Sequence, residues 1–233
     1  MNYTDNEINS LIFNEALKID KRTYFQYYIS LLRTKHLLIF SFYTNNDYNP
    51  RIIKIIIFLF SFALLYTVNS LFFQDSTMHK IYEVYGKYNF ILQLPQILYS
   101  TIISFIFTFI IKNLSLIEKK IIEIKKKKDI NISNSDKLNN IMKSIKIKFI
   151  IFFFLSFLFF IMFWYYLSCF GAVYKNTQIH LLKDTIISLI LSFIYPFGIN
   201  LLPGLLRIPA LKSRNKGSKY KYLYNLSKFI QII

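Results

Sequence analysis

Cysteine, glycine, proline, tryptophan and histidine are scarce in this chain: one Cys, five Gly, five Pro, one Trp and three His among 233 residues. The single cysteine, Cys169, excludes an intrachain disulfide and a thiolate metal cluster. With so few glycines there is no glycine-rich phosphate loop, and the three histidines stand in no spacing that makes a nucleophile, an acid–base dyad or a nucleotide site. The expected catalytic, cofactor-binding and metal-ligating residues are therefore none, and the expected role is non-enzymatic. Acidic residues are also few, 12 against 29 Lys and Arg, for a formal charge of +17. That excess does not point to nucleic acid, because the basic residues interrupt long apolar runs and no recognition motif accompanies them. The amino terminus carries Asp5, Glu7, Glu15 and Asp20 and lacks a basic stretch followed by a short apolar one. A removable signal peptide is not expected, so the first apolar run must serve as its own insertion signal.

What is abundant is apolar sequence: 54% of residues are hydrophobic and 19% aromatic. Four runs, residues 55–73, 91–111, 149–173 and 186–206, contain no Asp, Glu, Lys, Arg or His. A helix rises about 1.5 Å per residue and the hydrocarbon core is about 30 Å thick, so each run has the length of one crossing. Uncharged runs of that length favour spanning over burial in a water-soluble core. The expected fold is all-α: an integral membrane bundle of four transmembrane helices, with a cytoplasmic helical hairpin over 112–148 and an interfacial N-terminal helix. The expected organisation is a cytoplasmic or interfacial segment 1–51, a transmembrane domain 52–206 and a basic cytoplasmic tail 207–233.

Lys and Arg are unevenly divided among the flanks. Residues 1–54 hold seven, 112–148 eleven and the tail from Arg207 seven, while 74–90 and 174–185 hold two each. Basic residues near span ends stay on the cytoplasmic side, which puts both termini and the 112–148 connection there. The sequons at Asn2, Asn113, Asn131 and Asn225 all fall on that side, so glycosylation is not expected. Trp164, Tyr165 and Tyr166 follow the apolar run from Phe149 and are placed at the outer interface.

Residues 24–43 mix apolar clusters with Arg33, Lys35 and His36, which makes a fifth crossing costly and an amphipathic helix on the cytoplasmic face the expectation. Turn-forming residues occupy 45–50 and 131–136. Leu114, Ile117, Ile121 and Ile124 recur at helical steps, as do Leu138, Ile141 and Ile145, which predicts the two limbs of the hairpin. The lysines at 125–128 read as its solvated tip, and Lys212, Arg214, Lys216, Lys219 and Lys221 as the better contacts for acidic lipid. Within the runs, the amides of Asn69, Gln93, Gln96 and Asn200 are expected to bond between helices, at about 0.6 kcal/mol each on average. Pro95 lies between the two glutamines, and Pro196 and Pro203 disturb the fourth run twice. Asp75, His79 and Glu83, and separately His180 and Asp184, share four-residue steps that would align nitrogen and oxygen ligands on a helix face. Ordinary solvated residues fit those positions as well, and no metal is expected.

The stretch 167–180 with Lys183, Asp184, Thr185 and 195–198, joined by 69–79 and 96–100, resembles the membrane-embedded C-terminal module of uncharacterised multi-pass transmembrane proteins from protists. The resemblance covers most of the chain and implies no activity, substrate or catalytic residue. It implies a large extracellular or repeat region ahead of the module; this chain starts at Met1 without one and reads as a truncated or stand-alone version. The expectation is a multi-pass membrane protein acting as a non-enzymatic anchor or assembly module. The alternative is a small oligomeric channel or transporter with Gln93, Gln96, Asn200 and the Pro196–Pro203 break along its path. Expected partners are the lipid bilayer, anionic lipids at the basic flanks, and a second copy or another membrane protein; no nucleic acid and no cofactor.

Overall fold

A computed structural model describes residues 3–43, 47–73, 75–83, 85–128, 135–213 and 217–232. Among these residues the protein is all-helical, without strands: α1 (Asp5–Ser10), α2 (Phe13–Ile19), α3 (Tyr24–Lys35), α4 (Leu37–Phe42), α5 (Arg51–Leu71), α6 (Asp75–Glu83), α7 (Phe90–Ser115), α8 (Glu118–Lys128), α9 (Ser135–Val173), α10 (Gln178–Ile199), α11 (Leu201–Lys212) and α12 (Ser218–Ile232). Four stretches are long and apolar enough to cross a membrane: Arg51–Leu71, Phe90–Ile122, Asn139–Val173 and Lys175–Lys212. The chain divides into two compact units, Met1–Tyr48 with Phe193–Ile233, and Asn49–Ser192.

The first unit joins the two ends of the chain. Threonines open α1 and α3 through capping boxes: Thr4 Oγ1 accepts from the Glu7 amide while Glu7 Oε2 accepts from the Thr4 amide, and Thr23 and Gln26 repeat the pattern. Two orphan donors are satisfied at each start, which fixes where these short helices begin. Residues 24–43 form two helices split at His36 rather than one. The Ile39 amide donates to His36 Nδ1, so the opposite ring nitrogen, Nε2, carries the proton it donates to the Phe193 carbonyl at 2.9 Å. At 12 and 6 residues, neither helix is long enough to cross a membrane. Tyr27 and Leu31, one turn apart on α3, are buried with Ile208 of α11, and Leu11, Phe13 and Ala16 pack with Ala210 and Tyr224.

At the centre lies Arg207, whose side chain is wholly buried with that of Asp20. Its Nη2 donates to Asp20 Oδ2 at 2.8 Å and to the Ile8 carbonyl at 2.9 Å, and its Nη1 donates to the Asn9 carbonyl at 3.2 Å. The rings of Tyr27 and Tyr224 lie 5.0 and 4.7 Å from the guanidinium carbon. Asp20 also accepts from Arg22 Nε at 2.8 Å and Nη2 at 2.9 Å. Burial pushes the Asp20 carboxyl upward, but the hydrogen bonds and charges of Arg22 and Arg207 more than offset it and hold it below the usual range. The sequence places Arg207 at the head of an expected basic cytoplasmic tail; in the fold it is the hub that ties α11 to the segments around α1 and α2.

The fourth apolar run breaks where its prolines direct. Pro196 lies inside α10, and Pro203 is the third residue of α11, where an amide would lack a partner in any case. Between them α10 ends, and the Pro196 carbonyl accepts from the Asn200 amide at 3.1 Å and from its Nδ2 at 2.8 Å. Tyr28 donates its hydroxyl to the next exposed carbonyl, Phe197, at 3.1 Å, and Tyr24 donates to Leu201 at 3.0 Å.

In the second unit α5 packs on α7 and α9. The Phe60 ring meets Phe159, Phe160 and Phe163 of α9 at centroid distances of 5.8, 6.0 and 5.6 Å. The outgoing limb of the expected hairpin is interrupted: α7 ends at Ser115 and α8 restarts at Glu118. Asn49 makes the restart by accepting from the Ile117 and Glu118 amides at 3.1 and 3.3 Å and donating to Glu118 Oε2 at 3.0 Å. The returning limb is continuous with the third apolar run. The 39 residues of α9 extend about 58 Å, well beyond one hydrocarbon thickness. Lys120 donates to Ser144 Oγ at 2.6 Å, so the two limbs meet. Most of the turn expected at 131–136 lies outside the described residues, as do part of the turn expected at 45–50 and the tail residues Arg214 and Lys216.

Candidate functional site

Polar side chains converge where α5, α7 and α10 meet in the second unit. Asn69 is fully buried near the end of α5. Its Nδ2 donates to the Leu65 carbonyl at 3.0 Å and to Ser188 Oγ at 3.2 Å, and its Oδ1 accepts from Ser100 Oγ at 2.7 Å. Gln96 Nε2 donates to the Asn69 carbonyl at 3.4 Å and to Asp184 Oδ2 at 3.2 Å. Tyr88 donates its hydroxyl to Asp184 Oδ1 at 2.6 Å. Burial, then the bond to Asp184 and its charge, push the Tyr88 phenol far above its ordinary value, so it remains a donor at any ordinary pH.

Asp184 is buried, and no cation among the described residues forms an ion pair with it. Its two neutral donors carry the whole compensation. Lys183 lies over the Tyr88 ring at 5.2 Å, and the His180 ring lies 5.9 Å from that of Tyr88 with a buried Nδ1 that has no hydrogen-bond partner among the described residues.

Beside this cluster is a pocket of about 310 Å³ lined by Phe72, Thr77, Lys80, Ile81, Lys87, Asn89, Leu92, Gln93, Pro95, Gln96 and Tyr99. Gln96 belongs to both features. Asn89 caps α7 by accepting from the Ile91 and Leu92 amides at 3.1 and 3.4 Å, and the first turns of that helix supply Leu92, Gln93, Pro95 and Gln96 to the lining.

Of the four amides marked in the sequence, Asn69 and Gln96 bond between helices. Gln93 turns to the pocket without a hydrogen-bonded side chain among the described residues, and Asn200 serves its own helix break. The run bounded at 186–206 excluded Asp184, yet α10 begins at Gln178 and carries that carboxylate within a membrane-length helix. The signal was a pairing of spacings: Gln96 and Ser100 on one helix, Asp184 and Ser188 on another, each four apart and hence on one face. Of the metal-type spacings, His79 and Glu83 form an exposed pair at 3.3 Å, and among the described residues no group of three His, Cys, Asp or Glu side chains gathers as for a metal. Compared with protein-family models, curated proteins and solved structures, the chain matches none.

Proposed function

We propose that this protein is a multi-pass integral membrane protein that acts as a non-enzymatic anchor or assembly module. Both termini and the 112–148 connection face the cytoplasm, and the basic flanks meet anionic lipid. The observation that carries the reading is the bare face of α9. Phe154, Phe157, Ile161 and Trp164 recur at three- and four-residue steps along it, each more than half exposed. A stripe of that length is stable against lipid or another apolar helix and unstable in water. Acyl chains and a second membrane protein, or a second copy of this chain, are its natural neighbours. The likeness to the protist membrane modules belongs to the same proposal.

A second reading, a small oligomeric channel or transporter, draws on the Asp184 cluster, because an ionisable residue in a membrane-length helix is costly and tends to serve a polar path. Bilayer recording from purified protein separates the two. The anchor reading expects a silent bilayer, and reproducible, protein-dependent conductance overturns it. Tags at each end test the topology: both should be shielded in intact cells, and an accessible amino terminus with a shielded carboxyl terminus removes the proposed orientation.

A further inference from the structure

We propose that the pocket beside α7 binds a phosphate-bearing ligand, held by Lys80, Lys87 and Gln93. This goes beyond the anchor reading, and it rests on the two lysines of the 74–90 connection rather than on the basic flanks.

The charge on the wall is one-sided. Lys80 and Lys87 line the pocket, and among the described residues no carboxylate lines it or pairs with either ammonium. Deeper in, Gln93 is only 5% exposed, and its side chain has no hydrogen-bond partner among the described residues. Its amide end opens on the pocket rather than being sealed in protein, so Nε2 is placed to donate to a ligand oxygen. Asn89 spends its Oδ1 on capping α7, so its Nδ2 donors are left over for a ligand, and Thr77 adds a hydroxyl.

Two ammoniums and several neutral donors in one lining suit a phosphate. It carries one to two charges and accepts on three or four oxygens, whereas a carboxylate offers one charge in one plane. Apart from Gln96, whose Nε2 is given to Asp184, the remaining wall is apolar: Phe72 and Tyr99 stack at 6.3 Å, with Ile81, Leu92 and Pro95 beside them. The volume lies at the small end of the range for ligand sites and admits a phosphate with a few carbons attached. Two sources share that chemistry, the headgroup of a phospholipid and free phosphate.

The test uses the full-length protein. Native mass spectrometry after reconstitution in phosphatidylcholine discs containing phosphatidylglycerol counts retained anionic lipid, and calorimetry in detergent with inorganic phosphate covers the second source. Binding in either arm should weaken about 100-fold in the Lys80→Gln/Lys87→Gln variant, from two charge-assisted contacts each worth about tenfold or more, and about tenfold in Gln93→Leu. Retention of lipid alone assigns the headgroup, and heat with phosphate alone assigns the free ion. The lysines are exposed, so that variant should fold as the parent does, and its circular dichroism verifies this even if Gln93→Leu misfolds. Binding in neither arm, or affinity unchanged in the double lysine variant, overturns the proposal.

Discussion

Asp20→Asn should loosen the unit that joins the chain ends more than any other single isosteric change there. The carboxylate faces two guanidiniums, and that of Arg207 has no solvent to turn to. Removing one partner of a buried pair costs about 3–5 kcal/mol, because the surviving charge remains buried and unneutralised. Arg207→Met should cost less. Asp20 then keeps both contacts from Arg22, and the loss falls on the Ile8 and Asn9 carbonyls and on the stacking against Tyr27 and Tyr224. Peptide-resolved hydrogen exchange in detergent measures the difference locally. A 3 kcal/mol loss raises exchange about 100-fold in peptides from α1 to α3 and from α11 to α12. The double variant should cost less than the sum of the two, since each change removes the same contact. Acid should mimic the substitution. The folded Asp20 carboxyl sits below its ordinary 3.8, so its contribution is fully present above about pH 4 and disappears as pH falls through the folded value. That loss should be absent from Asp20→Asn. An exchange increase below about fivefold in Asp20→Asn, or an acid response identical to that of the parent, would refute the assignment of Asp20 as the counterion on which Arg207 depends.

Asn9→Asp should stabilise the same unit by about 1 kcal/mol in thermal unfolding, because it replaces a buried Nδ2 that has no partner among the described residues and adds a negative charge where positive charge is in excess; a lower melting temperature contradicts this. Gly204→Ala places a Cβ 2.7 Å from Tyr24 Cε2 and should cost about 1–3 kcal/mol, partly restored when Tyr24→Leu is added; an unaffected melting temperature shows that α3 does not press on α11 there. Lys35 is brought by burial from 10.5 down to about 8, so between those values the unfolded chain holds a proton that the folded one has lost and stability rises with pH. Lys35→Met should abolish that rise, and a stability profile of the same slope in both proteins counts against burial of the amine. Finally, Gln96→Leu strips a donor from buried Asp184 and should cost about 1–3 kcal/mol, whereas Gln93→Leu, which breaks no hydrogen bond among the described residues, should cost less than 1 kcal/mol; equal losses would mean that the two amides share one role.

The helices of membrane length were legible because an uncharged apolar run admits few other structures. The break in the fourth was legible as well, since Pro196 and Pro203 each remove a backbone donor. Its position at Asn200 was not, because it depends on which carbonyls Asn200 and Tyr28 are placed to cover. The union of the chain ends left no trace in local pattern. Tyr27 and Ile208 are 181 positions apart in sequence, and what joins them is a long-range fit around Arg207, a residue type that a positional rule assigns to the membrane surface. Asn49 was hidden for the same reason, since it caps a helix 69 residues away and read locally only as part of a turn.

Asp184 shows where charge counting fails. A rule that ends a span at the first charged residue assigns this carboxylate to a loop and leaves the helices free of ionisable groups. The backbone does not stop there: α10 runs through Asp184, and the next polar residues on its face, Ser188 and then Ser192, continue inward. Only the partners on α7 and in the loop before it make the burial tolerable, and they do so with two neutral donors rather than with a cation. Such a carboxylate gains little stability from its place, because a hydrophobic side chain of similar volume would avoid the desolvation altogether. In the anchor reading the carboxylate serves to tie α10 to α7 and the loop before it, and in the transport reading it would serve a polar path. Asp184 is therefore the residue on which the anchor and transport readings most sharply diverge, more so than the prolines or Asn200, whose irregular backbone is already satisfied within its own helix and by α3.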